Sequence, residues 1–189
     1  MNKILLSLLG AGLLAGAAFA EKFDLGAGRS VLLTVPESWS AGEPDASPPG
    51  LPPMGKNLRF VPKCGSNDAV MITLVTVPDD RLADPAALET LVADASAQFV
   101  AGSVEGKANL REFKIGHARG FAVTFTDANL VGQPPVKDDY KTMTACFVYL
   151  GDRVLVSATI FSDDPKGPAY GEAVRLLKSL AVSRPSEAI

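Results

Sequence analysis

The chain has 189 residues and a formal net charge of −3, from 18 Lys and Arg, 21 Asp and Glu, and one His. This length suits a single domain with a sizeable core. The charges are interspersed, without a basic stripe. This argues against nucleic acid or an anionic membrane surface as a partner, because binding to phosphates needs clustered Lys and Arg.

Residues 1–20 have the three parts of a secretory signal peptide. Lys3 supplies a short positive region, and residues 4–18 form an apolar stretch rich in Leu, Ala and Gly. Small residues at positions 18 and 20 match the pattern that signal peptidase accepts before its cleavage site. We therefore expect cleavage after Ala20 and a mature chain of residues 21–189 that is periplasmic or secreted.

A permanent membrane anchor is the alternative for this N-terminal segment. Its uncharged run is at the short edge for crossing a bilayer of roughly 30 Å, and no basic cluster follows it. A lipid anchor would require a Cys directly after the signal, but the first Cys of the chain is Cys64. The expectation is a mature protein with no stable membrane anchor.

The chain contains two Cys residues, Cys64 and Cys146. In an exported protein an even number of Cys favours a disulfide. Two buried free thiols are one alternative. The other is a reactive or metal-binding thiol, which needs a His or a cationic neighbour. We expect Cys64 and Cys146 to be bonded.

Residues 40–56 are rich in Pro and Gly, which excludes a helix or a central strand and predicts an extended surface loop. Before it, a strand over residues 30–35 ends at Pro36, and Trp39 is expected to fold back as a large apolar plug. The loop is a candidate for partner contact, since Pro lowers the entropy lost when a loop is ordered, and a merely flexible loop is the alternative. Trp39 has a polar handle suited to an interface, with core packing as its alternative. The candidate partner surface consists of Trp39, Pro48, Pro49, Pro52 and Pro53.

The next segments change from strand patterns to a helix pattern. Residues 57–62 predict a short strand, and the almost continuous apolar run 69–77 predicts a strand covered on both faces. A helix should follow Asp84, a good N-cap residue, with Pro85 at its first position. The apolar positions then recur with the helical period. They are Leu88, Leu91, Val92, Ala95 and Phe99.

Two hairpins and a second helix complete the pattern. A Gly-flanked turn joins the first pair of strands, and Gly151-Asp152 joins the second pair. A two-residue connection that begins with Gly is a strong hairpin signal. The last helix is expected over residues 169–180. The four strands are expected over residues 110–115, 121–127, 140–150 and 153–161.

This order of elements predicts one α+β domain over residues 21–189. Hairpins imply antiparallel pairing, and two amphipathic helices must each bury an apolar stripe against the sheet. The predicted fold is a central twisted antiparallel sheet of about six to seven strands with helices packed on its faces, an α/β/α sandwich.

The segment Val35-Pro36-Glu37-Ser38-Trp39 resembles the opening of proteins with the Mog1/PsbP-like fold, in which a strand is followed by Pro, a small polar residue and Trp. The later elements fit this resemblance, up to the last helix with Leu176-Leu177-Lys178-Ser179-Leu180. The Pro-rich insertion at residues 40–56 departs from it. The resemblance implies an α/β/α sandwich and a role as a binding, accessory or assembly factor. It implies no catalytic residues.

No motif in the sequence predicts catalysis, a metal site or a cofactor. His117 is the only His and is expected in an exposed turn, so neither a triad with His nor a site with several His ligands can form. The chain has no phosphate-binding Gly loop and no Gly-x-Ser-x-Gly elbow. Paired carboxylates can serve glycoside hydrolysis or Ca²⁺ binding, but in loops they favour solvated charge. The pairs are Asp79-Asp80, Asp138-Asp139 and Asp163-Asp164.

These observations favour an exported, non-enzymatic binding or accessory protein of the cell envelope that acts on a partner protein or a small ligand. One alternative is a secreted hydrolase that uses loop carboxylates, and another is a purely structural or envelope-stress protein with no small-molecule site. Two carboxylates facing each other across a cleft, about 5–10 Å apart, would favour the hydrolase.

Overall fold

The computed structural model describes residues 19–43 and 55–183, which contain two antiparallel sheets, two α-helices and a short 3-10 helix at Arg81–Ala83. The helices are α1 (Pro85–Val100) and α2 (Pro168–Lys178). The strands are β1 (Phe19–Gly26), β2 (Arg29–Val35), β3 (Trp39–Gly42), β4 (Lys56–Pro62), β5 (Asp68–Thr76), β6 (Arg111–Ile115), β7 (Ala118–Thr126), β8 (Thr142–Gly151), β9 (Val154–Ser162) and β10 (Ala181–Ser183).

The large sheet has seven strands within the described residues, in the order β3-β4-β5-β9-β8-β7-β6, and every neighbouring pair is antiparallel. The predicted antiparallel sheet is thus confirmed. In the same residues no helix has both the length and the apolar character needed to cross a membrane.

The two helices lie on opposite faces of the large sheet. Successive side chains of β8 alternate between these faces. Cys146 and Val148 belong to the apolar cluster that contains Leu176 of α2, whereas Tyr149 packs in the cluster of Leu88 from α1. The predicted sandwich of two helical layers around one sheet is therefore confirmed.

A small sheet of order β1-β2-β10 packs on the same face as α2. Val31, Leu33 and Val35 of β2 have 0% exposure in that cluster. Burying one such side chain stabilises the fold by about 1.5–3 kcal/mol. The sequence predicted β2 but neither β1 nor β10, so this sheet is an addition to the expected fold.

The start of α1 confirms the predicted cap. Asp84 has extended backbone angles, and its Oδ1 accepts a hydrogen bond of 3.0 Å from the backbone N–H of Ala86. Pro85 occupies the first helical turn. A backbone N–H at this position has no partner within the helix, so the missing N–H of Pro costs no hydrogen bond.

The β8–β9 hairpin turns one residue later than predicted. Asp152 and Arg153 carry the positive φ angles of the turn, 51° and 61°, and Gly151 has a φ of 90° at a β-bulge. The register shifts at this bulge, between the pair Tyr149–Leu155 and the pair Gly151–Val154. The expected Gly151-Asp152 turn is therefore corrected to Asp152-Arg153.

The predicted loop of residues 40–56 begins later than expected. Its first residues lie in β3, where Ser40 pairs with Val61 and Gly42 pairs with Arg59 of β4. Strand pairing thus overrides the low strand propensity of this Gly-containing segment. The candidate surface residues of the loop lie outside the described residues. They are Pro48, Pro49, Pro52 and Pro53.

The predicted disulfide is wrong, because Cys64 and Cys146 are both free. Cys146 is buried in β8 and lies level with Leu58 of β4, with β5 and β9 between them. Three strand spacings separate those positions by about 14 Å. Cys64 lies still further away, in an exposed turn beyond the end of β4, whereas a disulfide needs Cα atoms within about 7 Å.

Candidate ligand-binding cleft

Three large apolar side chains form a row across the end of the large sheet on its α1 face. The pairing register places Phe161 of β9 opposite Met143 of β8, and Met143 opposite Phe125 of β7. Directly opposed residues share a face and have Cβ atoms about 4.5–5.5 Å apart. This row is the floor of a cleft of about 380 Å³.

Two further aromatic rings form walls of the cleft. Phe99, in the last turn of α1, lies 6.0 Å from Phe125 between ring centroids, and Tyr140 lies 5.0 Å from Phe161. Phe99 remains 38% exposed, although the helical pattern placed it on the buried face. The helix ends at Val100, one residue after Phe99. The end of the sheet beyond this point is not covered by the helix, so the Phe99 ring stays partly exposed there.

The rim of the cleft is polar and mainly acidic. Asp127 follows β7, and Asp138 and Asp139 precede β8. Lys141 is the one Lys or Arg among the residues that line the cleft. An apolar floor with a few polar groups around it is the usual composition of a small-molecule site.

The side-chain amide of Asn67 holds the acidic side of the rim in place. Its Nδ2 lies within hydrogen-bond distance of the carbonyl oxygens of Val136 and Asp139, at 2.9 and 3.0 Å, and of Asp163 Oδ2, at 2.8 Å. Its Oδ1 accepts the backbone N–H of Asp138 at 3.1 Å. One side chain therefore links the β4–β5 turn, the segment before β8 and the end of β9.

The phenol of Tyr140 stays protonated at neutral pH. Burial raises its pKa, and the nearby carboxylate of Asp138 acts in the same direction, whereas the Arg59 guanidinium opposes it. Arg59 also pairs with Asp138, with 3.7 Å between Nη2 and Oδ1. Part of the charge of Asp138 is thus balanced within the protein.

The segment after α1 is pinned to the end of β7. Glu105 Oε2 accepts the backbone N–H of Thr126 at 2.8 Å, and its Oε1 accepts the Thr126 hydroxyl at 2.9 Å. The backbone N–H of Val104 donates to Thr126 O at 2.9 Å. Burial raises the pKa of Glu105, but the hydrogen bonds outweigh it and hold that pKa below its usual value. The ionised side chain of Glu105 therefore holds the segment after α1 against the end of β7, beside the cleft.

The acidic pair Asp79-Asp80 is engaged in local contacts away from this cleft. Asp79 accepts hydrogen bonds from the backbone N–H of Arg81 and from its guanidinium, and both lower the pKa of Asp79. Asp80 accepts a hydrogen bond from the hydroxyl of Tyr149. The oxygen of that hydroxyl in turn accepts a hydrogen bond from the backbone N–H of Arg153.

The pair Asp163-Asp164 is also engaged. Asp163 Oδ1 accepts the backbone N–H of Lys141 at 3.0 Å, and Asp164 Oδ1 accepts that of Lys166 at 3.0 Å. Of the three predicted pairs, Asp138-Asp139 thus lies at the cleft. Among residues 19–43 and 55–183, no group of three or more His, Cys, Asp or Glu is placed to hold a metal ion.

Two predicted residues lie away from the cleft. His117 is exposed in the β6–β7 turn, where the sequence placed it. Trp39 has 0% exposure, so its ring belongs to the core and not to a partner surface. A groove between the end of β2 and α2 is lined in part by Ser38 and Glu172, which hydrogen-bond to each other.

No family model matches the chain, and no curated protein matches it. Among solved structures, the cyanobacterial PsbP (CyanoP) from Synechocystis sp. PCC 6803 is similar, with a TM-score of 0.51 and 12% identity over 93% of this chain and 99% of that one. A protein from Bacteroides thetaiotaomicron VPI-5482 gives a TM-score of 0.49 and 14% identity over 92% of this chain. The chain spans 50% of the length of the Bacteroides protein. At such identities, similarity to CyanoP concerns the fold alone.

Proposed function

From a PsbP-like fold that carries an open aromatic cleft, we propose that the protein is an exported, non-enzymatic binding or accessory protein of the cell envelope. Its cleft takes up an apolar group of a small ligand or of a partner protein. The observation that carries this proposal is the row of Phe125, Met143 and Phe161 on the floor of a cleft that is open to solvent.

The size and composition of the cleft support binding. Its volume of about 380 Å³ lies within the range of small-molecule pockets, on the order of 300–1,000 Å³. Four aromatic rings, from Phe99, Phe125, Tyr140 and Phe161, line it. Aromatic side chains supply large apolar contact areas at low entropic cost, because they have few rotatable bonds.

The hydrolase alternative has less support. An acid catalyst of the glycosidase type needs a carboxyl group whose pKa is raised. The carboxyl groups of Asp79 and Glu105 are instead held below their usual pKa. Asp80 and Asp163 are committed to hydrogen bonds with Tyr149 and Asn67. Asp127, Asp138 and Asp139 do line the cleft, so the hydrolase stays a prediction.

Export rests on the signal peptide, and β1 is compatible with the proposed cleavage. Cleavage after Ala20 would remove the first two residues of this strand, which pair with Val35 and Thr34. Phe19 is 45% exposed, whereas Phe23, which stays in the mature chain, is buried. N-terminal sequencing of the protein from the periplasm or medium should begin at Glu21. An uncleaved chain recovered from the membrane would contradict this proposal.

Binding in the cleft is tested with a neutral apolar fluorophore such as Nile red. We expect saturable binding to the mature protein and about tenfold weaker binding to Phe99→Ala, because truncation removes one aromatic wall. Leu32→Ala is the matched control, since Leu32 of the small sheet is 37% exposed and Phe99 is 38% exposed. Equal binding by both variants, or binding that does not saturate, would overturn the proposed site.

A further inference from the structure

The cleft combines exposed carboxylates with aromatic rings. Asp127, Asp138 and Asp139 line it against the single cation Lys141. Arg59 pairs with Asp138 at 3.7 Å, which leaves Asp127 and Asp139 to set the charge of the rim together with Lys141. The carboxylates therefore outnumber the cations around an apolar floor, and such a site attracts positive charge and repels negative charge.

The rings of the cleft offer further sites for positive charge. The face of an aromatic ring attracts a cation electrostatically. Within the described ranges, the Lys side chains that lie over rings are Lys56, 5.3 Å from the centroid of Phe23, and Lys178, 5.9 Å from that of Phe113. Neither ring lines the cleft. Neither of these two Lys side chains therefore lies over a ring of the cleft.

Building on the proposed function, we propose that the natural ligand of the cleft is a small organic cation, an ammonium group on an aromatic or alkyl body. The apolar body lies on the floor of Phe161, Met143 and Phe125. The ammonium group lies between the rings of Tyr140 and Phe161 and the rim carboxylates of Asp127 and Asp139. Asp127 and Asp139 set the preference for cations, and Phe99 closes the apolar side.

Other ligand classes fit this arrangement less well. An anion would meet the carboxylates of the rim. A neutral apolar ligand would contact the floor but would make no electrostatic interaction with the carboxylates of the rim. A divalent metal ion prefers several oxygen ligands at short range, and the described residues provide no group of three or more such side chains.

Three probes of similar shape test the charge preference directly: 2-phenylethylammonium, 2-phenylethanol and 3-phenylpropanoate. Isothermal titration of the mature protein at low salt should give a Kd for the ammonium probe about tenfold lower than for the alcohol, with the carboxylate weakest. At about 0.2 M salt the advantage of the ammonium probe over the alcohol should shrink, because the exposed rim carboxylates are screened.

The double variant Asp127→Asn and Asp139→Asn tests the role of the rim. The Asn side chain at position 127 can still accept the backbone N–H of Asn129, as Asp127 does at 2.8 Å, so the local turn is retained. We expect about fivefold weaker binding of the ammonium probe and little change for the alcohol. The control double variant, Glu43→Gln and Glu89→Gln, removes the same charge from exposed positions that do not line the cleft.

The outcomes separate this inference from the proposed function. If the alcohol binds as tightly as the ammonium probe, or if the control double variant weakens the ammonium probe as much as the rim variant does, the preference for cations is overturned. If Nile red binds at Phe99 but the ammonium probe does not bind, the cation inference fails and the binding function stands. If neither binds, both are overturned.

Discussion

The indole N–H of Trp39 donates a 3.0 Å hydrogen bond to Oε2 of Glu172 in α2. The hydroxyl of Ser38 donates to the same oxygen at 2.8 Å. Trp39 has 0% exposure, so its one polar atom is satisfied inside the protein. The segment that resembles the opening of the Mog1/PsbP-like fold therefore has a structural role, because its hydrogen bonds connect the chain after β2 to α2.

Glu172→Ala should destabilise the protein by about 1–3 kcal/mol, because the buried indole N–H loses its acceptor. The free energy of unfolding in urea measures this effect. Glu172→Gln should cost less, since its amide oxygen can still accept from Trp39. Glu89→Ala, at an exposed position of α1, is the control. Equal stability of the Glu172→Ala and Glu89→Ala variants would show that the contact does not stabilise the fold.

The two thiols should differ sharply in reactivity. Burial raises the pKa of the Cys146 thiol to about 12, whereas Cys64 is exposed. Because the thiolate is the reactive form, a maleimide should label the native protein once, at Cys64, and label it twice after unfolding. Mass spectrometry without reductant checks the same point. A native mass that shows an internal disulfide would contradict the assignment of free thiols.

Asn67→Ala should loosen the acidic side of the cleft. It removes the donor to Val136 O and Asp139 O and the acceptor of the Asp138 N–H. We expect a loss of about 1–2 kcal/mol in stability and faster amide hydrogen exchange in residues 136–140. Binding of the ammonium probe should weaken while the rest of the fold stays protected.

The control for this variant is Asn57→Ala, since the Asn57 side chain accepts only an exposed hydrogen bond from Thr73 among the contacts described for it. It should leave hydrogen exchange in residues 136–140 unchanged. Equal exchange in the two variants would mean that Asn67 does not position the rim.

Glu105 should make stability depend on pH in the acid range. Its pKa in the folded state lies below the usual value of 4.5, so its ionised form is favoured by folding. This contribution is fully present above 4.5 and is lost as the pH falls through the folded pKa. Glu105→Gln should therefore lower the Tm at pH 7, by about 2–4 °C for a loss of 1 kcal/mol. The difference in Tm from the unsubstituted protein should shrink below pH 4.5. A constant difference from pH 7 to pH 3 would exclude this role.

Local chemistry in the sequence was enough to predict α1 and the two hairpins that form β6 to β9. Asp84 and Pro85 specify a helix start on their own, and the structure adds only the bond to Ala86. The strands β1 and β10 lack such a signal. β10 has three residues directly after α2, and its pairing with β2 depends on how the whole chain folds.

The cleft could not be predicted because its floor depends on one residue of register. With the expected turn at Gly151-Asp152, Met143 would have faced Ile160 instead of Phe161. A shift of one residue moves a side chain to the other face of the sheet. The bulge at Gly151 sets the observed register, and the sequence shows only a Gly in a turn region.

The disulfide prediction failed for a related reason. The number of Cys residues in an exported chain says nothing about the distance between them. Cys64 follows β4 and Cys146 lies in β8, and two strands of the large sheet, β5 and β9, separate β4 from β8. A sequence signal was present for Cys146, since it lies within an apolar run that suits a buried strand.

The alternation of side chains along β8 and β9 divides mutational effects between two properties. Substitutions at Met143 or Phe161 alter the lining of the cleft, whereas substitutions at Val148 or Ile160 alter the core beneath α2. Substitutions in the proposed binding cleft and substitutions in the core thus fall at different positions of the same strands. Over evolutionary time, selection can change the lining of the cleft at the first set, while the second set keeps the scaffold intact.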